Sequence, residues 1–230
     1  MIKRKVVILI YIIVILVTLK MLTNLAINSN LILKYNNGEY LEKQAQKLKI
    51  SNIFESYIAY YNYGNILYQN GKFDEAIEEY KKALKKHIPK KKECNIRINY
   101  ALAICKTVQV DENSQESIKK AIKQYEEAID ILTEDNCAHK DDNNGHSEKA
   151  EKLKQDIQKE IDRLKKLLKE ENNEKEDEED NNKPNEEDES EKQVEEQIQQ
   201  IKEEAIKDQR EMETTFDNYN KEYVINEKNW

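Results

Sequence analysis

Glycine and proline are nearly missing from this 230-residue chain, at four and two residues. Sandwiches, barrels and glycine-rich phosphate loops depend on such turn residues, so those architectures are excluded. Histidine is scarce too, at three residues, and no Gly-x-Ser-x-Gly, phosphate-loop or His-Glu-x-x-His pattern occurs. Little remains from which to build an active site. The expectation is a non-enzyme with no catalytic residues, no cofactor and no small-molecule substrate. A formal net charge of -8 argues against a nucleic-acid partner, because phosphate binding needs a basic surface. What is abundant is the material of long solvated helices, 38% hydrophobic and 37% charged residues. The fold class expected is all-α.

The apolar residues are unevenly spread. Residues 6–19 are almost purely apolar, preceded by Lys3, Arg4 and Lys5 and followed by Lys20, with Leu22, Leu25, Ala26 and Ile27 beyond. A helix apolar on every face needs lipid or a large core around it, and this chain has no large core. A cleaved signal peptide and a retained anchor both begin with such a basic flank. Ala26 has no small partner two residues away for cleavage, whereas Lys20 can snorkel from a helix reaching Ile27. Residues 1–27 are therefore expected to be a signal-anchor transmembrane helix that contacts the membrane through residues 6–27. The flank places the N-terminus in the cytoplasm and the remainder outside, as a single-pass protein of the cell membrane.

Residues 28–56 read as a connector. Asn36-Asn37-Gly38 is a turn signal, and Leu41, Ala45 and Leu48 carry the spacing of a short helix. Residues 57–89 are the most patterned stretch. One helix runs to about Gln69, Asn70-Gly71 stops it, Asp74 can cap the next, and that helix ends before Pro89. Ile66, Phe73, Ile77, Tyr80 and Leu84 form apolar faces. Gly64, Ala76 and Ala83 are small residues where two helices would cross closely.

This stretch resembles a tetratricopeptide repeat, a 34-residue helix-turn-helix unit. The residues that carry the likeness are Tyr60, Tyr63, Gly64, Gly71, Phe73, Ala76, Tyr80, Ala83 and Leu84. Leu67 stands where the repeat usually has Tyr, with Tyr68 following it, and Pro89 falls one residue late. A degenerate second copy spans 94–137. Residues 94–105 form its first helix, with Ala101 in the place of Gly64. Ala121, Tyr125, Ala128 and Ile129 repeat the spacing of Ala76, Tyr80, Ala83 and Leu84. Ala76 follows Gly64 by 12 residues and Ala121 follows Ala101 by 20, so the copy carries an insertion centred on 111–115, expected in the turn.

From Ser147, an apolar stripe of Ala150, Leu153, Ile157, Ile161, Leu164 and Leu168 marks a helix over 147–169. A coiled-coil seam would use the same stripe, but a helix capping the last repeat is the preferred reading. Residues 170–191 hold 13 Asp or Glu against two Lys and no aliphatic or aromatic residue, so a disordered acidic linker is expected. Helical periodicity returns over 192–212. The aromatic tail 213–230, with Tyr219, Tyr223 and Trp230, has no local core to join and is read as a docking segment.

Cys94 and Cys137 fall at helix ends that an antiparallel pair would bring together. Outside the cell they could form a disulfide closing a loop of about 44 residues, worth a few kcal/mol; the alternative is three free thiols, with Cys105 a small core residue. Cys137, His139, Asp141, Asp142 and His146 cluster without paired metal-ligand spacing, so a solvated turn and no metal are expected. The likeness to tetratricopeptide repeats implies a concave groove lined by the first helix of each unit. It would carry Tyr61, Asn65, Tyr68 and Gln69, then Asn95, Ile98, Leu102 and Lys106, and take a protein or peptide partner; the alternative is that the two repeats bury these residues against residues 40–56. Tyr61 stands where a carboxylate clamp would have Lys, so chaperone tails are not the implied ligand.

The whole layout is similar to a family found in bacterial operons with MoxR-type ATPases and von Willebrand factor A proteins. The likeness rests on the anchor, the repeat, Cys-x-Ile-Arg-x-Asn-x-Ala-Leu-Ala at 94–103, Leu-Thr-Glu-Asp-x-Cys at 132–137 and the Lys-Asn-Trp end. It implies an adaptor or scaffold beside those partners at the cell envelope. The alternative is an oligomeric helical spacer without a peptide groove.

Overall fold

A computed structural model describes residues 2–51, 56–141 and 144–180. It is all-helical, with no strand among the described residues. The helices are α1 (Ile2–Asn36), α2 (Glu42–Ser51), α3 (Ser56–Gln69), α4 (Phe73–Leu84), α5 (Lys90–Thr107), α6 (Gln115–Thr133) and α7 (Glu148–Asp180), with a 3-10 turn at Glu134–Asn136. Two compact units are divided within α5, one up to Ile96 and the other from Arg97.

In the first unit, α1 is long and apolar enough to cross a membrane. It does not stop at Ile27, as expected, but continues to Asn36. At 1.5 Å per residue its length is about 50 Å, against about 30 Å for a bilayer core. The surplus has a structural use. Residues 3–23 are exposed throughout; from Asn24 one face becomes covered, through Ile27 and Asn28 to the buried Leu31 and Tyr35. The helix therefore runs on because its last three turns pack on the domain. Gly38, at φ +79, ends it where an L side chain would be strained. The chain returns as α2, burying Ala45 and Leu48 as their spacing predicted.

The α3–α4 pair packs around one close approach. A Cβ on Gly64 would lie 2.6 Å from Cε1 of Tyr80, so only glycine lets that ring lie flat against α3. Tyr80 is fully buried and its hydroxyl donates to Oδ1 of Asn65 at 2.9 Å. Ala76 and Ala83, one turn to either side, are fully buried and keep the crossing tight. Residues 70–72 make the turn, with Gly71 at φ +73. Asp74 is not the cap: Lys72 takes that position and offers no side-chain bond. Asp74 lies inside the first turn, where its charge complements the helix dipole.

In the second unit, Ser114 caps α6 by accepting from the Ser117 N–H. The insertion is shared between the connection 108–114 and longer helix ends at Thr107 and Gln115. Arg163 of α7 pairs with Glu112 in that connection at 2.7 Å and with Glu160 at 2.7 Å. The apolar stripe of α7 is consumed against α6, with Ala150, Leu153, Ile157, Ile161 and Leu164 buried. Each large member contributes about 2 kcal/mol of burial, and this places the stripe in a cap. The helix does not end at 169. It continues to Asp180, into the stretch expected to be linker. No Gly or Pro interrupts 170–180, and extending a formed helix costs far less than nucleating one. The rest of the linker, the helix 192–212 and the tail 213–230 lie outside the described residues.

Candidate functional site

The inner face of the repeat is where a peptide groove was expected, and it is not open. Tyr61 is 4% exposed, Asn65 2% and Tyr68 4%, with Gln69 half-buried. The occupant is the chain itself. Tyr35 of α1 lies with its hydroxyl beside Gln69 and near Tyr61 and Tyr68, while its ring meets Tyr40 edge-on at 5.1 Å. Leu31 is buried one turn earlier. In the structure these side chains are covered within the first unit: Tyr61 and Asn65 pack against Tyr80 of α4, Tyr68 meets Phe73 edge-on at 5.1 Å, α2 packs along α3, and Tyr35 of α1 reaches Gln69. Their chemistry explains the fit. Tyrosine rings give contact area, and burying them against aromatic neighbours is worth more than solvating them. Of the second set, Ile98 and Leu102 are buried and Asn95 and Lys106 half-buried, so they too are packing residues rather than an exposed surface.

Burial also decides what these groups can do. Tyr80 has its phenol pushed well above its ordinary range by desolvation. It acts as a neutral hydrogen-bond donor, not as an acid. Cys105 is buried and free, and desolvation raises its thiol, which keeps it unreactive. Cys94 and Cys137 are both buried and disulfide-bonded.

Residues 137–141 and 144–147, expected to be part of a solvated turn, are tied down by backbone hydrogen bonds, while Asp142 lies outside the described residues. Asp135 and Asn136 take left-handed backbone at φ 52 and 58, which Asp and Asn tolerate best after glycine. The Glu151 carboxylate then organises the loop beyond them. Its Oε1 accepts the His139 N–H at 2.6 Å and the Gly145 N–H at 2.7 Å, and Oε2 pairs with Lys154 at 2.9 Å. Lys154 in turn donates to the His139 carbonyl at 2.6 Å. Burial pushes the Glu151 carboxyl up, but these bonds outweigh it and hold it below its ordinary value. A Cβ on Gly145 would lie 2.5 Å from the Ala138 Cα and 2.6 Å from the Cys137 carbonyl oxygen. The loop thus closes on Glu151 through a glycine. The His146 N–H donates to the Asn136 carbonyl at 3.0 Å, and its ring nitrogen and the sulfurs of Cys94 and Cys137 lie within 4.8 Å of one another.

Sequence reasoning missed Tyr35, Leu31 and Glu151. The signal for the first two was present, since Asn24, Asn28, Leu31 and Tyr35 recur at steps of four, three and four. No sequence signal separates Glu151 from the other acids of α7. Tyr219, Tyr223 and Trp230 lie outside the described residues.

These observations define an all-helical protein built on a helix-turn-helix repeat. Residues 57–87 match the tetratricopeptide repeat family. No curated protein and no solved structure matches the chain. Repeats of this family are interaction modules, so a protein-interaction role follows for this chain in general terms.

Proposed function

We propose that the chain is a membrane-anchored adaptor that holds a protein partner at the cell envelope. The observation that carries this is the continuity of α1, one helix that is exposed and apolar over residues 3–23 and packed on the repeat by Tyr35. An anchor joined in this way fixes the repeat's height and orientation over a bilayer, which a tether would not. The domain lies outside the cytoplasm, as the basic N-terminal flank requires, and a Cys94–Cys137 bridge that staples the second copy of the repeat fits an oxidising compartment. With Tyr61, Asn65 and Tyr68 of the first repeat buried, the partner docks on the tail 213–230, where Tyr219, Tyr223 and Trp230 offer anchor side chains of the kind that dominate interfaces. MoxR-type ATPase and von Willebrand factor A proteins are the partners that the family likeness suggests. A spacer role has less support, because the stripe of α7, one of the segments such a stalk would use, is buried against α6.

The test is co-purification from native membranes after mild crosslinking. Deleting 213–230 should remove a partner that the Tyr61→Ala variant retains. A partner unaffected by the deletion sinks the tail as docking site. Protease protection of the domain in right-side-out vesicles would reverse the topology.

A further inference from the structure

The chain is acidic overall, yet the first unit is basic at one end. We propose that this end, with Lys47, Lys82, Lys85, Lys86 and Lys90, is a docking surface for the anionic headgroups of the bilayer that α1 enters; the proposal rests on the reading of α1 as an anchor.

Side-chain contacts at both ends set the unit's polarity. Far from the apolar half of α1, Tyr35 meets Tyr40 and Gln69, Lys34 pairs with Glu39 at 2.9 Å, and Lys72 pairs with Glu42 at 2.9 Å. The end of α1, the start of α2, the end of α3 and the start of α4 therefore gather there. At the opposite end, Lys49 of α2 pairs with Glu79 of α4 at 3.0 Å and lies over the Tyr63 ring at 4.4 Å. Lys86, just past α4, lies over the Tyr60 ring at 5.1 Å, and Lys49 is 5.5 Å from the same ring. The end of α2, the start of α3 and the end of α4 thus converge. Because α1 points away from its apolar half as it reaches Tyr35, this second end faces the bilayer. From Asn24 to Asn36 α1 rises about 18 Å, and the ten residues of α2 return about 15 Å. The headgroup layer adds about 5–7 Å beyond the hydrocarbon on each side. The last turn of α2 and the turn after α4 accordingly meet headgroups.

Charge follows the same axis. The far end holds Glu39, Glu42, Asp74 and Glu75 against Lys34, Lys43 and Lys72. At the near end Glu79 is neutralised by Lys49 and Lys82, and Glu78 by Lys81. Lys47, Lys85 and Lys86 are exposed there, and the exposed Lys90 follows next along the chain at the start of α5. Lysines spread over a surface, rather than forked arginines, suit a fluid layer of phosphates more than one shaped ligand. The positive charge that would ordinarily mark a nucleic-acid site is here turned toward lipid by the direction of α1.

The experiment uses the full chain reconstituted into neutral phosphatidylcholine vesicles and into vesicles with added phosphatidylglycerol. Amine acetylation is read by mass spectrometry, with Lys119 and Lys123 of α6 as exposed references. Labelling of Lys85, Lys86 and Lys90 should slow by roughly five-fold on the anionic vesicles, the scale of one lysine near an anionic surface. The protection should vanish in 1 M salt, where screening shortens to about 3 Å, and the references should not change. Equal labelling on both lipids while the protein still floats after alkaline extraction overturns the headgroup surface and leaves the anchor standing. Loss of flotation on both lipids overturns the anchor, and this proposal with it. Protection on neutral vesicles by added RNA, without protection by anionic lipid, overturns it in favour of a nucleic-acid surface. In the K85E/K86E/K90E variant, Lys47 should lose its lipid-dependent protection; if Lys47 keeps it, the cluster is not the surface.

Discussion

The α3–α4 pair and the stretch expected to be its degenerate copy, α5 and α6, differ at the crossing residue and in the turn. In the first, Gly64 admits the Tyr80 ring at a distance no Cβ tolerates, and the turn is closed within residues 70–72 by Gly71. In the second, Ala101 occupies the corresponding place, fully buried, and the turn is a longer connection closed by the Ser114 cap and the Arg163–Glu112 pair. Residues 57–87 match the tetratricopeptide repeat family. The first pair combines a glycine contact with a short turn, and the second stretch buries Ala121, Tyr125 and Ala128 at the corresponding spacing behind a longer connection.

The comparison can be broken most severely at the tyrosines. Tyr80→Ala should cost about 3–5 kcal/mol, since a fully enclosed ring leaves a cavity; Tyr125→Ala should cost less, because Tyr125 keeps some exposure at 6%. Denaturant titration of each variant, with hydrogen exchange read at α3 and α5, distinguishes the two. An equal loss would mean that the second pair is packed as tightly as the first. Replacing Cys94 and Cys137 by Ser should cost about 2–5 kcal/mol and raise exchange in the second pair ahead of the first. If exchange rises equally in both, the bridge does not act on the second pair selectively.

A third contrast lies in the loop after the second pair, which has no counterpart after the first. Glu151→Gln should loosen residues 137–147 by about 1–3 kcal/mol, because two backbone N–H donors and Lys154 lose their charged partner. The carboxyl is held below its ordinary value of 4.5. Its contribution is therefore complete above about pH 4.5 and is lost as pH falls through the lowered folded value. Exchange of the His139 and Gly145 amides should accelerate in acid in the native chain and be less pH-dependent in the variant. Exchanging the crossing residues gives a smaller effect of opposite logic. Gly64→Ala should destabilise by about 1–3 kcal/mol despite better helix propensity, because Tyr80 must move. Ala101→Gly should cost about 1 kcal/mol from propensity alone. The smallest loss is expected for Ser114→Ala, about 1 kcal/mol for a missing N-cap, visible as faster exchange in the first turn of α6.

Much of this was legible in the residues. The apolar run 6–19, the small residues at the α3–α4 crossing and the stripe of α7 each specify local structure, because helical periodicity is written at steps of three and four. Less legible were the ends of elements. The anchor's continuation to Asn36 depends on Tyr35 finding Gln69, Tyr61 and Tyr68, which lie some thirty residues away. The continuation of α7 to Asp180 reflects helix propagation, which composition alone conceals. The burial of the expected groove residues was hidden for the same kind of reason. Tyr61, Asn65 and Tyr68 do line one face of α3, but spacing along a helix cannot say what covers that face.

The sequence by itself determined an all-helical chain, an apolar helix of membrane-crossing length and a tetratricopeptide-type unit over 57–87. All three follow from the order of apolar, small and turn residues within one or two turns. The meeting of distant segments decided that Tyr35 of α1 reaches Gln69, that Glu151 binds the His139 and Gly145 amides, and that lysines at the end of α2 and just past α4 share one end of the first unit. Those outcomes depend on which distant side chains meet, and burial, close contact and charge are properties of the meeting rather than of the segments.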